Sequence, residues 1–311
     1  MNKYYLAVDG GGTKTDAICA DENGAIIGRG LAGPTNITTT SVGAASFNLV
    51  EAVRQAIENV PASKENEFPV LVMGLAGLDC ESEYEEAYKI LSESLYHYNI
   101  KKFILINDSL IALENGSNNP NAVILIAGTG SNCFGRNENG ETAKTSGMDF
   151  LLTDQGSGYA IGRRVLREAV KSYDGRSDKS LLENLVTEYF KISSISELKK
   201  EVYNPLLSKI EIANLAYLCS MAHAGGDRVA TDIFEKTVNE IVVMVSTVVD
   251  KLNLNSKPFD CVFSGSIIML PYMQEKVSWL LKEKYENINL IFPRESPVLG
   301  ALKIALKEFT Q

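Results

Sequence analysis

The chain has 311 residues, of which 45% are hydrophobic and 22% are charged, and these values are ordinary for a globular protein of about two domains. Its formal net charge of −9 argues against nucleic-acid binding and against an anionic membrane surface, because both need clustered positive charge. Five cysteines without a CxxC pair and only two histidines give no support for a disulfide framework, a zinc site or a serine triad.

The amino-terminal region is predicted to contain a strand, a glycine loop and a hairpin. Apolar runs predict strands at 4–9, 15–20 and 25–31. Three consecutive glycines follow the first strand, and the dipeptide Asn23-Gly24 predicts a tight turn between the other two. The region has no signal-peptide pattern and the chain has no apolar stretch of membrane-spanning length, so we expect a cytoplasmic protein.

The same order of features returns about 116 residues later. A strand at 122–126 ends at a glycine loop, a second strand follows at 132–135, and Asn139-Gly140 predicts another tight turn. Two such units in one order favour an internal duplication over the alternative of two unrelated hairpins. The loop at 115–121, which is rich in turn-forming residues, is the best candidate for a domain boundary.

The remaining elements alternate between helices and strands, as in an α/β protein. Helical spacing predicts helices at 41–59, 82–96, from Ser109, 158–171, 180–190, 211–224, 228–252, 271–284 and 297–309. Further strands are predicted at 70–75, 103–106, 260–263 and 289–292. For the last helix we expect Ser296 as the N-cap and Pro297 at the first helical position.

Three glycine-containing loops, at 9–15, 127–132 and 264–266, each follow a predicted strand. Glycine allows the backbone to approach a ligand closely, so that N–H groups can point at phosphate oxygens. Hydroxyls at Thr13, Thr129 and Ser266 add further donors. No loop has the Walker A pattern, and each alone also suits an ordinary tight hairpin, but three together favour phosphate binding.

Three aspartates lie at predicted strand or helix ends, where each has a functional and a structural interpretation. Asp9 could hold Mg²⁺ or cap its loop. Asp108 could act as a general base or as a helix N-cap. Asp154 could accept hydrogen bonds from sugar hydroxyls or cap the helix that follows it.

Together these motifs resemble those of the sugar kinase/actin/heat-shock-chaperone ATPase superfamily. Within it, they are similar to the branch that groups N-acetylglucosamine kinases with the BadF-BadG-BcrA-BcrD activator ATPases of benzoyl-CoA reductase. The motifs that carry the resemblance follow the order of that family and are DGGGTKT at 9–15, ND at 107–108, AGTGSN at 127–132, DQGSGY at 154–159, SGS at 264–266 and SPVLGA at 296–301.

The resemblance implies an α/β fold with two duplicated ribonuclease-H-like domains, as in actin-like ATPases, flanking a nucleotide cleft. We expect the domains at 1–118 and 119–295, with the terminal helix at about 296–311 packed back on the first. The family also implies a homodimer and a place in cell-wall recycling.

The same resemblance implies an ATP-dependent kinase that phosphorylates the 6-hydroxyl of N-acetylglucosamine or N-acetylmuramic acid with the help of Mg²⁺. Asp108 would be the base, and Asp9 would hold Mg²⁺ through water. The residues implied for ATP binding are Gly10, Gly11, Gly12, Thr13, Lys14, Gly128, Thr129, Gly130, Ala213, Gly265 and Ser266. The residues implied for sugar binding are Asn36, Asp108, Ser131, Asn132, Gly147, Met148, Asp149 and Asp154.

One segment departs from the family pattern. Animal-type N-acetylglucosamine kinases carry Gly-Trp-Gly where this chain has Gly147-Met148-Asp149. An altered pocket would admit N-acetylmuramic acid, which is N-acetylglucosamine with a lactyl ether. Asp149 facing the lactyl carboxylate would count against that substrate, and glucosamine remains an alternative.

A second alternative is an ATPase switch of the reductase-activator type. That function needs cysteines placed to hold an iron–sulfur cluster between two subunits. Cys19, Cys133 and Cys261 fall in predicted strands and Cys219 in a predicted helix, where packing is the simpler explanation.

Overall fold

The computed structural model describes residues 2–61, 66–78 and 80–310. They form two compact units, one made of Met1–Asn118 with Ile291–Gln311 and the other of Asn119–Leu290. Among the helices of these described residues, none combines the length and the apolar character that crossing a bilayer requires.

The described residues of the first unit form one five-stranded sheet and four α-helices. Its strands are β1 (Tyr4–Gly10), β2 (Thr15–Asp21), β3 (Ile26–Ala32), β4 (Phe68–Leu75) and β5 (Ile100–Asn107). Its helices are α1 (Val42–Ala56), α2 (Glu81–Ser94), α3 (Asp108–Gly116) and, from the end of the chain, α11 (Val298–Thr310).

The sheet of the first unit has the strand order β3-β2-β1-β4-β5. The first three strands form an antiparallel meander, and β4 and β5 add parallel to β1. In this register Gly10 lies beside Leu75, which lies beside Asn107. The carboxyl ends of β1, β4 and β5 therefore meet at one edge of the sheet, where open α/β sheets bind ligands.

The second unit has a five-stranded sheet of its own. Its strands are β6 (Ala122–Ala127), β7 (Ser131–Arg136), β8 (Thr142–Ser146), β9 (Phe259–Ser264) and β10 (Ile288–Ile291). Its helices are α4 (Gly158–Asp174), α5 (Leu181–Phe190), α6 (Leu198–Tyr203), α7 (Lys209–Asn214), α8 (Ala216–Ala224), α9 (Arg228–Lys251) and α10 (Pro271–Lys284).

The strand order of the second sheet, β10-β9-β6-β7-β8, repeats that of the first. Again three consecutive strands form an antiparallel meander, and the next strand adds parallel to the first of them. The shared topology confirms the α/β class and the duplication that the sequence predicts.

The two hairpin turns use the same side-chain chemistry. The Asp21 carboxylate accepts the Asn23 backbone N–H at 2.9 Å, and Gly24 has a φ of +80°. The Asn137 side-chain oxygen accepts the Asn139 N–H at 3.1 Å, and Gly140 has a φ of +78°. An Asx-type bond followed by a left-handed glycine closes each turn, which explains why Asn-Gly predicted both.

Two hydrophobic clusters cover the two faces of the first sheet. One combines Leu6, Val8 and Met73 with buried side chains of α1 and α2. The other combines Tyr5, Ala7 and Val72 with Ile111 of α3 and with residues of α11. The buried members from α11 are Val298, Ala301, Leu302 and Ala305. The carboxyl-terminal helix therefore belongs to the core of the first unit.

Two predicted helices differ from the observed ones. The helix expected at 211–224 is two helices, because the Leu215 N–H bonds to the Ile212 carbonyl at 3.1 Å and tightens the backbone between α7 and α8. The last helix begins at Val298 rather than Pro297. The Ser296 hydroxyl, expected as its cap, instead donates to the Asp16 carboxylate at 2.8 Å.

Gly300 allows α11 to approach α3 closely. A Cβ at this position would clash with the Ile111 carbonyl oxygen and would lie 2.8 Å from the Asn115 nitrogen. We expect Gly300→Ala to lower the free energy of unfolding by about 1–3 kcal/mol, as in overpacked cores. The measurement is the urea midpoint followed by circular dichroism. Gly43→Ala is the matched control, because a Cβ there meets nothing within 4 Å, and an equal loss in both variants would contradict the prediction.

Candidate functional site

The loop after β1 is held against the rest of the first unit by backbone contacts. The Gly11 carbonyl accepts the Thr35 N–H at 3.2 Å and the Asn36 N–H at 3.4 Å. A Cβ at Gly10 would clash with the Thr35 hydroxyl and lie 2.6 Å from the Met73 methyl group. The glycines therefore bring the segment at 35–36 onto the loop, which unites two parts of the predicted site.

The middle of this loop is open. A Cβ at Gly12 would meet nothing within 4 Å, and Thr13 and Lys14 are exposed. In contrast, Asn36 is only 9% exposed, and its side-chain oxygen accepts the Thr38 N–H at 2.9 Å and hydroxyl at 2.7 Å. The loop thus offers exposed donors at its tip, whereas Asn36 is held by hydrogen bonds.

Asp9 lies at the end of β1 in an unfavourable environment for a negative charge. Burial, followed by the charges of Asp108 and Asp16, raises the pKa of Asp9 to about 7, and Lys14 opposes this shift. Asp16 itself is fully buried and is paired with Arg29. We call the group of Asp9, Asp108 and the adjoining loop the Asp9 site.

Asp108 is the first residue of α3, but it is not the residue that caps this helix. The Asn107 side-chain oxygen accepts the Ser109 N–H at 3.0 Å, so Asn107 is the N-cap. The Asn107 amide also donates to the Leu78 carbonyl at 2.9 Å, which anchors the end of β5. The N-cap interpretation of Asp108 is therefore wrong, and its half-buried carboxylate lies at the sheet edge near Asp9.

In the second unit, the loop after β6 rests on the amino-terminal turn of α4. The Gly158 N–H donates to the Gly128 carbonyl at 2.7 Å, and the Tyr159 N–H donates to the Thr129 carbonyl at 3.2 Å. A Cβ at Gly158 would lie 3.3 Å from the Ala213 carbonyl oxygen. The predicted phosphate loop and the predicted adenosine contact at Ala213 are thus both next to α4.

The loop after β9 also packs on the loop after β6. Gly265 has a φ of +104°, and a Cβ there would clash with the Ala127 carbonyl oxygen and lie 2.8 Å from the Gly128 nitrogen. Ser266, the next residue, is exposed. Only glycine fits this approach and this backbone conformation, so the two loops form one continuous backbone surface.

Next to these loops lies a group of polar residues that we call the Asp154 site. It contains Ser131, Asn132, Gly147, Asp149 and Asp154. The Ser131 hydroxyl and the Asn132 side-chain oxygen are buried and have no hydrogen-bond partner. Buried polar atoms without partners are costly, so each of these two oxygens has hydrogen-bonding capacity that no described protein group uses.

The segment that contains Asp154 has an unusual backbone. Ser146, Gly147, Asp149 and Asp154 have φ values between +62° and +80°. The Ser146 hydroxyl joins two parts of the site, because it donates to the Ser131 carbonyl at 2.9 Å and accepts the Asp154 N–H at 3.2 Å. Left-handed non-glycine residues are uncommon and cluster at functional sites.

Asp154 does not cap α4, as one interpretation of the sequence had it. Ser157 is the N-cap, and its hydroxyl accepts the Ala160 N–H at 3.1 Å. The Asp154 carboxylate instead receives a hydrogen bond from Lys209 at 3.2 Å. Met148, which the resemblance implies for sugar binding, is 62% exposed.

Lys209 is a residue of the site that sequence reasoning missed. Its ammonium bonds to both Asp149 and Asp154 and lies 5.5 Å from the centre of the Phe150 ring. Burial lowers the pKa of Lys209, but the Asp149 hydrogen bond and the Asp154 charge outweigh this effect, so the net shift is upward. The only sequence signal was a lysine after the helix-capping Ser208, which is too common to point to a site.

No group of three or more metal-ligating side chains occurs in the part of the chain that the structure describes. Cys19, Cys133, Cys219 and Cys261 are buried, whereas Cys80 is exposed. Burial raises the pKa of Cys19 to about 12 and raises the pKa values of the other three buried thiols as well. Buried, protonated thiols are typical of packing rather than of cluster ligation.

A model of the BadF/BadG/BcrA/BcrD ATPase family matches residues 6–305. The chain is 30% identical to an N-acetylmuramic acid/N-acetylglucosamine kinase of Clostridium acetobutylicum over 307 residues, which are 98% of this chain and 99% of that protein. It is 27% identical to an N-acetyl-D-glucosamine kinase of Dictyostelium discoideum, with 98% of each chain covered.

Solved structures share the fold. A candidate N-acetylglucosamine kinase of Chromobacterium violaceum superposes with a TM-score of 0.77 at 18% identity, covering 97% of this chain and 98% of that one. A glucokinase of the ROK family from Streptomyces griseus, solved with glucose and AMPPNP, superposes with a TM-score of 0.61 at 16% identity. This match covers 98% of this chain and 99% of that one. These two likenesses support the two-domain sugar-kinase fold.

The raised pKa of Asp9 has a consequence for stability. Between pH 4 and about 7 the folded chain keeps a proton that the unfolded chain releases, so ionisation of Asp9 destabilises the fold as the pH rises. We expect Asp9→Asn to raise the thermal midpoint by about 2–5 °C at pH 8 in chelator, and to leave it nearly unchanged at pH 4.

Calorimetry at both pH values tests this expectation. Asp174→Asn is the control, since Asp174 is a surface carboxylate whose pKa the Arg176 hydrogen bond lowers, and its removal must not stabilise the protein at pH 8. An equal effect of Asp9→Asn on the thermal midpoint at both pH values would contradict the raised pKa of Asp9.

Proposed function

Because the chain belongs to the BadF/BadG/BcrA/BcrD ATPase family, we propose that it is an ATP-dependent amino-sugar kinase. It phosphorylates N-acetylglucosamine and N-acetylmuramic acid, the sugars in the names of its full-length relatives. The position is the 6-hydroxyl, as the resemblance of its motifs to the family implies. The single observation that carries the proposal is the Asp9 site, where two carboxylates lie next to a glycine loop at the end of parallel strands.

Asp108 is the proposed general base. It lies at the sheet edge beside Asp9, and Asn107 takes over the capping of α3, so the Asp108 carboxylate is not needed for that role. The base takes the proton of the 6-hydroxyl as the sugar oxygen attacks the γ-phosphorus and ADP leaves. Gly10, Gly11, Gly12, Thr13 and Lys14 are proposed to bind phosphate oxygens in the first unit.

The second unit supplies the other proposed contacts. Gly128, Thr129 and Gly130 are proposed for phosphate, and Ala213, Gly265 and Ser266 for the adenosine side of ATP. The orphaned Ser131 and Asn132 oxygens and the Asp154 carboxylate support sugar binding, because hydroxyl groups are the donors that such oxygens accept. Asn36 of the first unit, with its oxygen held by Thr38, would offer its amide NH₂.

We also propose that Mg²⁺ accompanies ATP at the Asp9 site. The residues fit this ion, because a cation would stabilise the Asp9 carboxylate against burial and against the charges of Asp108 and Asp16, which together raise its pKa. Mg²⁺ keeps several waters and uses one or two carboxylates together with phosphates, so it needs no larger cage of protein ligands. When bound, it would neutralise phosphate charge. The homodimer, the cytoplasmic location and the role in cell-wall recycling stay predictions.

Removing the base should stop phosphoryl transfer without unfolding the protein. We expect Asp108→Asn to lower kcat by about 10²–10⁴-fold, the usual contribution of a positioned base, without lowering the thermal midpoint. Asp260→Asn is the control, because Asp260 pairs with Asn289 on the second sheet, outside both sites. Turnover of Asp108→Asn within about tenfold of wild type would refute the base assignment.

Substrate dependence of ADP release tests the proposed function. With ATP and Mg²⁺, we expect release only with N-acetylglucosamine or N-acetylmuramic acid, the sugars that the names of the full-length relatives give. The panel also contains glucosamine, glucose and no sugar. Release with glucosamine alone would assign a glucosamine kinase, and release without sugar would favour the ATPase switch.

A further inference from the structure

Lys209 occupies the centre of the Asp154 site. Its ammonium joins Asp149 and Asp154, and a Cβ at Gly130 would lie 2.8 Å from the Asp154 oxygen and 3.4 Å from Lys209 Nζ. The lysine side chain is 23% exposed, so it is partly desolvated yet reachable from solvent. A cation in this position interacts with any charged group on a sugar that enters the site.

The two carboxylates that hold Lys209 differ in freedom. The Asp154 side chain is 4% exposed, and the backbone N–H of this residue is fixed by Ser146. The Asp149 side chain is 52% exposed, so its carboxylate can leave the lysine for water at little cost. Asp154 therefore anchors Lys209, whereas Asp149 is an exchangeable partner.

We propose that Lys209 is a specificity-determining residue that lets this site accept a sugar carrying a carboxylate. The lactyl carboxylate of N-acetylmuramic acid takes the place of Asp149 on the Lys209 ammonium, while Asp154 keeps the lysine in position. One carboxylate replaces another, so the substrate adds no unpaired charge to the site. This inference rests on the proposed kinase function.

The exchange revises the expectation that Asp149 opposes N-acetylmuramic acid. Without Lys209, Asp149 and Asp154 would both repel an incoming anion. With Lys209 present, the Asp149 carboxylate is paired with an ammonium, and its release leaves one hydrogen-bonding position on that ammonium for an incoming carboxylate. A neutral sugar needs no such release, and Lys209 then stays paired with Asp149.

The test compares kcat/KM for N-acetylmuramic acid with kcat/KM for N-acetylglucosamine in each variant. We expect Lys209→Met to lower this ratio by about 10- to 100-fold, the range for a lost charge-assisted hydrogen bond. Lys209→Arg keeps the charge and should hold the ratio within about threefold of wild type. We expect Asp149→Asn to raise the ratio by about 3- to 10-fold, because the competing carboxylate is gone.

Two controls test whether the effect of Lys209→Met depends on the charge of the lactyl group rather than on its shape or on the loss of any lysine. The methyl ester of N-acetylmuramic acid keeps the lactyl group without its charge, so its rate relative to N-acetylglucosamine should not respond to Lys209→Met. Lys257→Met removes a similar ion pair, which Lys257 forms with Glu138 at 2.7 Å beside the second hairpin turn. This variant should leave kcat/KM unchanged for both sugars. Thermal midpoints establish that each variant is folded.

The outcomes are distinct. An unchanged ratio in Lys209→Met and in Asp149→Asn, with wild type active on both sugars, overturns this inference and leaves the proposed function standing. An equal loss on both sugars assigns Lys209 to phosphate or to structure and also overturns it. Wild type that phosphorylates neither sugar overturns the proposed function itself. Asp149→Asn retains the Lys209–Asp154 pair, so it decides the matter even if Lys209→Met fails to fold.

Discussion

Close backbone approach at the strand ends is the constraint on which both sites depend. Gly10 contacts Thr35 where a Cβ would clash, and Gly265 meets Ala127 in the same way. Because no side chain separates these segments, peptide groups rather than side chains form the surfaces of the loops. An acidic protein can bind an anion in this way, since the N–H groups supply positive ends of dipoles without adding net charge.

The two sites differ in the charges that surround their carboxylates. In the Asp9 site, burial, followed by the charges of Asp108 and Asp16, raises the pKa of Asp9, and Lys14 opposes only part of this shift. In the Asp154 site, one lysine bridges two carboxylates. The first arrangement suits a site that receives a cation together with its substrate. The second suits a site where a protein cation is already in place before the sugar binds.

Local chemistry decided what could be predicted from the sequence. The hairpins were predictable because Asn-Gly acts within a few residues, and the strand-end aspartates because apolar runs define where a strand stops. Lys209 was not, since it reaches Asp154 across 55 residues of chain. The N-cap of α3 was not predictable either, because Asn107 and Asp108 are both good N-cap residues. Only the backbone geometry shows that Asn107 is the cap.

The place of α11 bears on how the protein is made. Residues 119–290 form the second unit as one uninterrupted stretch, whereas the first unit needs Val298, Ala301 and Leu302 to cover one face of its sheet. During synthesis the second unit can therefore complete its core while the first, although translated earlier, still exposes an apolar face. A nascent chain of this protein would depend longest on chaperone protection at its beginning, not at its end.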